Sequence, residues 1–197
     1  MEFFEVIRNR RSIRHFTGDP VRDEDLTAML EAARLAPSST NQQPWHFIVI
    51  RDRELITDLR DIVNVSLDAL IDEAETEDRK KVLRSRRFYG THIFDAPVVV
   101  TVLTRALYPS PLNEEPTFGQ GLQSVGASIE NLLLAATALG YGGCWVALPL
   151  ELAYREIESI LGVEKPWYAV AMLSIGVPAR LPAEVSRKPL KEIVTFK

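Results

Sequence analysis

The segment from 123 to 139 is apolar around nearly the whole circumference of a predicted helix, and it constrains the fold more than any other part of the chain. Its apolar residues are Val125, Ile129, Leu132, Leu133, Leu134, Ala135 and Ala136. A helix without a polar face needs burial, so we expect it in a core or at a subunit interface. Gly140 follows directly and predicts the end of this helix.

The rest of the chain mixes helical and β-strand patterns. Helices are predicted over 2–9, 23–35 and 150–161, strands over 45–50, 97–104, 143–148, 168–175 and 191–196, and a loop over 108–119. The charged stretch 55–92 is expected to be mostly helical, either as a cover over a site or as an ordinary solvated surface. No repeat or linker divides the 197 residues, so the sequence predicts one α+β domain spanning 1–197.

Composition argues against several functional classes. Lys and Arg total 23 against 27 for Asp and Glu, and a chain this acidic is a poor general nucleic-acid binder. The N-terminus lacks a signal-peptide pattern, and no apolar run is long enough to span a bilayer, so a cytoplasmic location is expected. The lone Cys144 allows no internal disulfide and is interpreted as a buried apolar residue rather than a nucleophile. The scattered histidines predict no metal site.

Two motifs carry the chemistry. Arg10, Arg11, Ser12 and Arg14 fall within five positions, and arginine side chains bind phosphate oxygens in pairs of hydrogen bonds. Cations at a helix C-terminus explain one or two of these residues but not the whole set. The polar loop 36–45 is either an ordinary turn or a surface whose amides recognise a heterocycle. The chain has neither a phosphate-binding loop of the Walker type nor a dinucleotide-binding glycine pattern.

These motifs, with three further matches, resemble the FMN-dependent nitroreductase family. The matches are Arg-Arg-Ser-Ile-Arg-x-Phe from Arg10, Ala-Pro-Ser-Ser-x-Asn-x-Gln-Pro-Trp from Ala36, the helix 129–136 with the strand 139–145, and the C-terminal stretches 175–178 and 187–190. They occur in order over nearly the whole chain. The resemblance implies a nitroreductase-like fold, with a mostly antiparallel sheet flanked by helices, in an intertwined homodimer. The C-terminal extension 185–197 is then expected to reach the partner subunit.

The resemblance also implies which residues hold FMN at the subunit interface. Arg10, Ser12 and Arg14 would bind the phosphate and ribityl chain, Arg11 the ribityl chain and pyrimidine edge, Arg187 with Lys188 the phosphate, and the backbone of Ala147 or Leu148 the flavin N5. Pro37, Ser38, Ser39 and Asn41 would come from the partner subunit.

The activity implied is an oxidoreductase that uses NADH or NADPH by a ping-pong mechanism. Its acceptors would be small electrophiles such as nitroaromatics, quinones or enals, and no protein nucleophile is required. Three alternatives stay open: a reductive dehalogenase of the deiodinase type, a flavin-fragmenting enzyme of the same family, and a dimeric FMN-binding protein without turnover. The deiodinase type grips its substrate with a lid tyrosine, and the matching stretch 55–88 has none.

Overall fold

A four-stranded antiparallel sheet organises the protein. The structure, a computed structural model, describes residues 2–105 and 119–197. The strands are β1 (Trp45–Ile50), β2 (Val98–Thr104), β3 (Gly142–Val146) and β4 (Tyr168–Gly176), in the order β1-β2-β4-β3. Every residue of β2 is buried, because its run of valines faces helices on both sides of the sheet. This arrangement confirms the predicted α+β class and the antiparallel sheet.

The described residues form six α-helices, four of which pack on the two faces of the sheet. The six helices are α1 (Phe3–Asn9), α2 (Asp23–Arg34), α3 (Arg53–Asp72), α4 (Glu77–Thr91), α5 (Gly119–Ala138) and α6 (Leu148–Ile160). One core lies between the sheet and α2 with α5, and a second lies between the sheet and α3 with α6. Among the described residues, no helix combines the length and apolar character needed to cross a bilayer.

The predicted apolar helix is α5, and it lies in the core as expected. Ile129 and Leu132 are fully buried. Two side chains of α5 fasten α2 to it: Ser128 Oγ donates to Ala33 O at 2.8 Å, and Asn131 Nδ2 donates to Ala32 O at 3.1 Å. The helix ends at Ala138, and Gly140 follows in the left-handed region with a φ of +87°.

Some predicted boundaries were wrong. The predicted strand 191–196 is instead a short 3-10 turn (Leu190–Glu192) followed by an exposed tail. No strand of the described chain forms backbone hydrogen bonds with these β-branched residues. The strand predicted over 143–148 ends at Val146, since Ala147 already caps α6 and Pro149 suits its first turn. Most of the predicted loop 108–119 lies outside the described residues, and α5 begins at Gly119.

The charged stretch 55–92 is mostly helical, as predicted, and contains most of α3 and all of α4. Thr76 starts α4 by accepting a hydrogen bond at its Oγ1 from Arg79 N at 3.2 Å. Leu83 on α4 packs against Leu67 and Ile71 of α3. The helices α3 and α4 therefore form a hairpin with its own small apolar contact. This hairpin brings Phe88, near the end of α4, close to His15.

A buried carboxylate links α2 to the turn before β3. Asp25, which is 6% exposed, accepts hydrogen bonds from Arg22 Nε at 2.7 Å and Tyr141 Oη at 2.7 Å. The Arg22 side chain, and next Tyr141, hold the pKa of this carboxyl below its ordinary value. A depressed pKa in the folded state adds stability above the unfolded pKa, and that stability is lost as pH falls through the folded pKa.

We therefore expect Asp25→Asn to lower the melting temperature at pH 7 and to flatten its fall during acidification. The measurement is thermal unfolding from pH 7 down to pH 2. The exposed Asp58 on α3 provides the matched control, because Asp58→Asn removes a carboxylate that makes no such contacts with Arg22 or Tyr141. An unchanged pH profile in Asp25→Asn would show that this network contributes nothing to folding.

Candidate functional site

The stretch of residues 10–17, which we call the arginine segment, lies against β3 and the end of β4. Three backbone hydrogen bonds fix it: Ile13 N to Gly143 O (2.9 Å), Thr17 N to Val177 O (3.0 Å) and Ala179 N to His15 O (2.9 Å). The segment thus behaves almost as an additional strand beside an edge of the sheet. Its side chains are held in place by the fold rather than carried on a free loop.

A glycine of β3 allows this close approach. A Cβ at Gly142 would lie 2.3 Å from Ile13 Cγ1, which is shorter than real Cβ contacts. The neighbouring Gly143 allows a different approach, because its Cβ would lie 2.7 Å from Ser174 O of β4. Gly142 therefore lets the arginine segment lie against β3, and Gly143 lets β3 lie against β4.

The guanidinium groups of the segment have spare hydrogen-bonding capacity. Arg10 Nε forms an ion pair with Glu130 Oε1 at 3.0 Å, at a half-exposed position. Arg14 Nη1 donates to Ser12 O at 3.4 Å, and Arg14 Nε is buried with no partner among the described residues. A buried donor without an acceptor is costly, so a bound group with acceptor oxygens or nitrogens fits at Arg14.

Three adjoining cavities surround the segment. The first has a volume of about 1000 Å³ and is lined by Arg10, Arg11 and Arg187 among others. The middle cavity, about 440 Å³, is lined by Arg10, Ser12, Glu130, Leu133, Gly143, Trp145 and Ala147. The outer cavity, also about 440 Å³, includes Ser12 and Arg14. Because Arg10 and Ser12 each line two of the three, the cavities form one continuous surface.

The structure thus brings together six of the predicted site residues: Arg10, Arg11, Ser12, Arg14, Ala147 and Arg187. Leu148 and Lys188 line none of the three cavities, although each follows a residue that does. Leu148 is the first residue of α6, and Lys188 lies in the exposed C-terminal tail. All of these positions lie on one side of the protein, near α1, β3 and the tail.

The polar loop lies apart from the arginine segment. Ser39 packs on the start of α5, where its N–H donates to Ser124 Oγ at 3.2 Å and its Oγ donates to Gln120 Oε1 at 2.8 Å. Glu130, the partner of Arg10, follows Ser124 by six residues, which is about 9 Å along the helix and about 120° around it. Within one chain, therefore, Pro37, Ser38, Ser39 and Asn41 line none of the three cavities.

The polar loop also holds an unusual backbone conformation. Thr40, Asn41 and Gln43 have φ values of 48°, 56° and 46°, in the left-handed region that non-glycine residues rarely adopt. Ser38 Oγ stabilises the turn by accepting from Gln43 N at 3.0 Å. Residues in such conformations cluster at binding and catalytic sites, which is consistent with a role for this loop in recognition.

Comparison with known proteins identifies the family. The model of the nitroreductase family matches residues 7–177. The chain belongs to this family. It is 31% identical over 178 residues to the Archaeoglobus fulgidus protein named "Putative NADH dehydrogenase/NAD(P)H nitroreductase", covering 90% of this chain and 86% of that one. It is 32% identical over 182 residues to 5,6-dimethylbenzimidazole synthase of Rhodospirillum rubrum, covering 86% and 78%.

A solved structure is similar to this chain over its whole length. The BluB-like flavoprotein of Clostridium difficile 630 superimposes with a TM-score of 0.89 at 35% identity, covering 100% of this chain and 99% of that chain. The nitroreductase fold predicted from the motifs is therefore confirmed over the full length of the described sheet and helices.

Several residues that line the three cavities were not predicted. Glu130 and Trp145 line the middle cavity, and Phe88, Tyr89 and Arg180 line the outer one. Trp145 is 46% exposed although it lies in a strand. The adjacent aromatic residues Phe88 and Tyr89 interrupt an otherwise charged helix, and this sequence pattern could have indicated a binding surface.

The cysteine behaves as predicted. Cys144 is 2% exposed, and burial raises the pKa of its thiol, an effect that the nearby Arg14 and the Ser12 hydroxyl only partly oppose. A buried, protonated thiol is a weak nucleophile. In the described parts of the chain, no group of three or more His, Cys, Asp or Glu residues is placed to hold a metal ion.

Proposed function

We propose that this protein is a homodimeric FMN-dependent oxidoreductase that uses NADH or NADPH to reduce small electrophiles such as nitroaromatics, quinones or enals. The observation that carries the proposal is the fixed arginine segment, whose guanidinium groups line three connected cavities in a chain of net charge -4. Such a concentration of cations fits an anionic ligand held at a defined place. The family and the named relatives support a redox role.

The residues present fit FMN. Arg10, Arg11 and Arg187 surround the first cavity, where they would bind the phosphate, with Lys188 close by in the tail. Ser12 and Arg14 would bind the ribityl chain and the neighbouring phosphate oxygens, and the buried Arg14 Nε would gain an acceptor. We place the backbone of Ala147 or Leu148, at the start of α6, next to flavin N5. When bound, FMN supplies two-electron chemistry between NAD(P)H and the acceptor.

The side chains of the protein would then orient and polarise the bound molecules and would not react with them. The arginine side chains are cationic, so they favour negative charge on the groups that they contact. The exposed Trp145 and the chain at Ala147 border the middle cavity and limit water on one side. The protein needs no nucleophile, in agreement with the buried state of Cys144.

A second copy of the chain would complete the site. We infer that Pro37, Ser38, Ser39 and Asn41 contact the flavin held by the partner subunit. The C-terminal extension 185–197 supports a dimer, because several of its apolar residues are exposed in the described part of the chain. Exposed fractions are 54% for Val185, 73% for Leu190, 63% for Ile193, 40% for Val194 and 93% for Phe196. An apolar surface of this kind marks a contact with another protein surface.

The proposal is tested with the purified protein loaded with FMN under anaerobic conditions. Adding NADH or NADPH is expected to bleach the flavin absorbance, and a nitroaromatic is then expected to restore it. A screen of nitroaromatics, quinones and enals with each nicotinamide follows. A protein that binds FMN but keeps its yellow colour with both nicotinamides is a flavin-binding protein without reductase activity. A protein that takes up no FMN contradicts both functions.

One alternative has a specific observation in its favour. The relatives include a 5,6-dimethylbenzimidazole synthase at 32% identity and a BluB-like flavoprotein at 35%. A flavin-fragmenting activity would consume the cofactor itself in the presence of oxygen. After bleaching, exposure to air separates the two functions, since a reductase recovers its full flavin spectrum. Loss of the flavin spectrum, with 5,6-dimethylbenzimidazole detected by mass spectrometry, would favour the alternative.

A further inference from the structure

The outer cavity differs in character from the other two. It lies between the end of α4 and the chain that follows β4, and its volume of about 440 Å³ falls in the usual range for small-molecule pockets, about 300–1,000 Å³. It shares Ser12 with the middle cavity and Leu181 and Pro182 with the first, and Arg14 belongs to the proposed flavin site. The rest of its lining is His15, Phe88, Tyr89, Arg180 and Ala183.

Aromatic rings form one wall of this cavity. Phe88 lies nearly parallel to His15, with ring centroids 5.9 Å apart at 28°, and nearly parallel to His92, at 5.2 Å and 25°. His92 is 2% exposed and anchors this ring in the protein interior. Phe88 and Tyr89 are still 44% and 49% exposed, so part of each ring is open to a ligand. A planar aromatic molecule can pack on such rings.

A cationic group also lines this cavity. Arg180 Nη2 lies 2.6 Å from His15 Nε2, and because a guanidinium group only donates, this histidine nitrogen must accept. This contact orients the Arg180 side chain without placing a negative charge beside it. No Asp or Glu belongs to the lining given by the described residues. The remaining N–H groups of Arg180 suit a carboxylate.

We propose that the outer cavity binds an aromatic carboxylate as the electron acceptor, with its ring on Phe88 and Tyr89 and its carboxylate on Arg180. This inference rests on the proposed oxidoreductase function, and it narrows the acceptor to an anionic aromatic class. A neutral aromatic of the same shape would offer Arg180 no opposite charge. Arg180 is thus a specificity-determining residue, and His15 is a positioning residue for it.

The test compares two acceptors of nearly equal shape, 4-nitrobenzoate and 4-nitrobenzamide, in the FMN-loaded protein. The readout is the ratio of their kcat/KM values, because a ratio cancels changes in flavin content. We expect Arg180→Gln to lower this ratio about tenfold, the usual loss for one charged hydrogen-bonded contact, and Arg180→Lys to restore part of it. Lys81→Gln, at an exposed position on α4, is the matched control and should keep the wild-type ratio.

A binding measurement separates this inference from the proposed function. Calorimetry with benzoate and benzamide on the FMN-loaded protein reports the pocket without any turnover. If benzoate binds and Arg180→Gln abolishes that binding, the anion pocket stands even when no acceptor is reduced. If nitroaromatics are reduced but Arg180→Gln leaves both the kcat/KM ratio and benzoate binding unchanged, the inference is wrong and the function stands. Loss of FMN from Arg180→Gln would also overturn it, by assigning Arg180 to the cofactor.

Discussion

Replacing Gly142 with alanine is expected to lower the free energy of unfolding by about 1–3 kcal/mol, the usual cost of overpacking a filled interior. The added methyl group would lie 2.3 Å from Ile13 Cγ1 and 2.9 Å from Ile13 Cβ. These atoms sit close to a backbone that is fixed by the hydrogen bond from Ile13 N to Gly143 O. Ile13 cannot rotate away freely, so the arginine segment must shift.

The same substitution is expected to weaken FMN binding, because Ile13 lies between Ser12 and Arg14. Chemical unfolding measures the stability loss, and titration of flavin fluorescence measures the affinity. Gly126→Ala is the matched control, since its added methyl group would lie 3.7 Å from Trp145 Cη2, an ordinary contact, on a helix that favours alanine. Wild-type stability and FMN affinity in Gly142→Ala would mean that the close approach of segment and strand does not matter.

Local patterns predicted most of the fold. The strand 45–50 was predicted with its observed ends, and α5 was identified from its apolar circumference. The strand predicted over 191–196 failed for a physical reason: a β-branched run forms a strand only where another strand offers hydrogen bonds. Such a partner is a property of the whole fold, and the described chain offers none to the tail.

The candidate site likewise contains residues that the sequence reveals and residues that only the fold brings together. Arg10, Ser12 and Arg14 are close in sequence, so the order of residues alone reveals their common chemistry. The contact between Arg180 and His15 joins positions 165 residues apart, and only the pairing of the arginine segment with the end of β4 creates it. Phe88 reaches the same place through the α3–α4 hairpin. Sequence patterns report neighbours along an element, whereas the outer cavity depends on which elements meet.

The second large effect is expected at the phosphate end of the site. Arg10→Ala or Arg187→Ala should weaken FMN binding by about 1.5–3 kcal/mol, the usual scale for hydrogen bonds to a charged group. The effect at Arg10 should be the larger of the two, because removing its guanidinium leaves the Glu130 carboxylate, 3.0 Å from Arg10 Nε, unpaired beside an anionic ligand. Arg155→Ala, on the exposed side of α6, is the matched control.

Riboflavin makes this test specific for the phosphate. It carries the same ring and ribityl chain as FMN but no phosphate, so a clamp made by Arg187 acts on FMN alone. We therefore expect Arg187→Ala to weaken FMN binding while riboflavin binding keeps its wild-type affinity. Equal losses for both ligands would instead place Arg187 on the ribityl chain or the ring. Unchanged FMN affinity in both arginine variants would contradict the phosphate clamp, because the first cavity would then bind its ligand without the charges that line it.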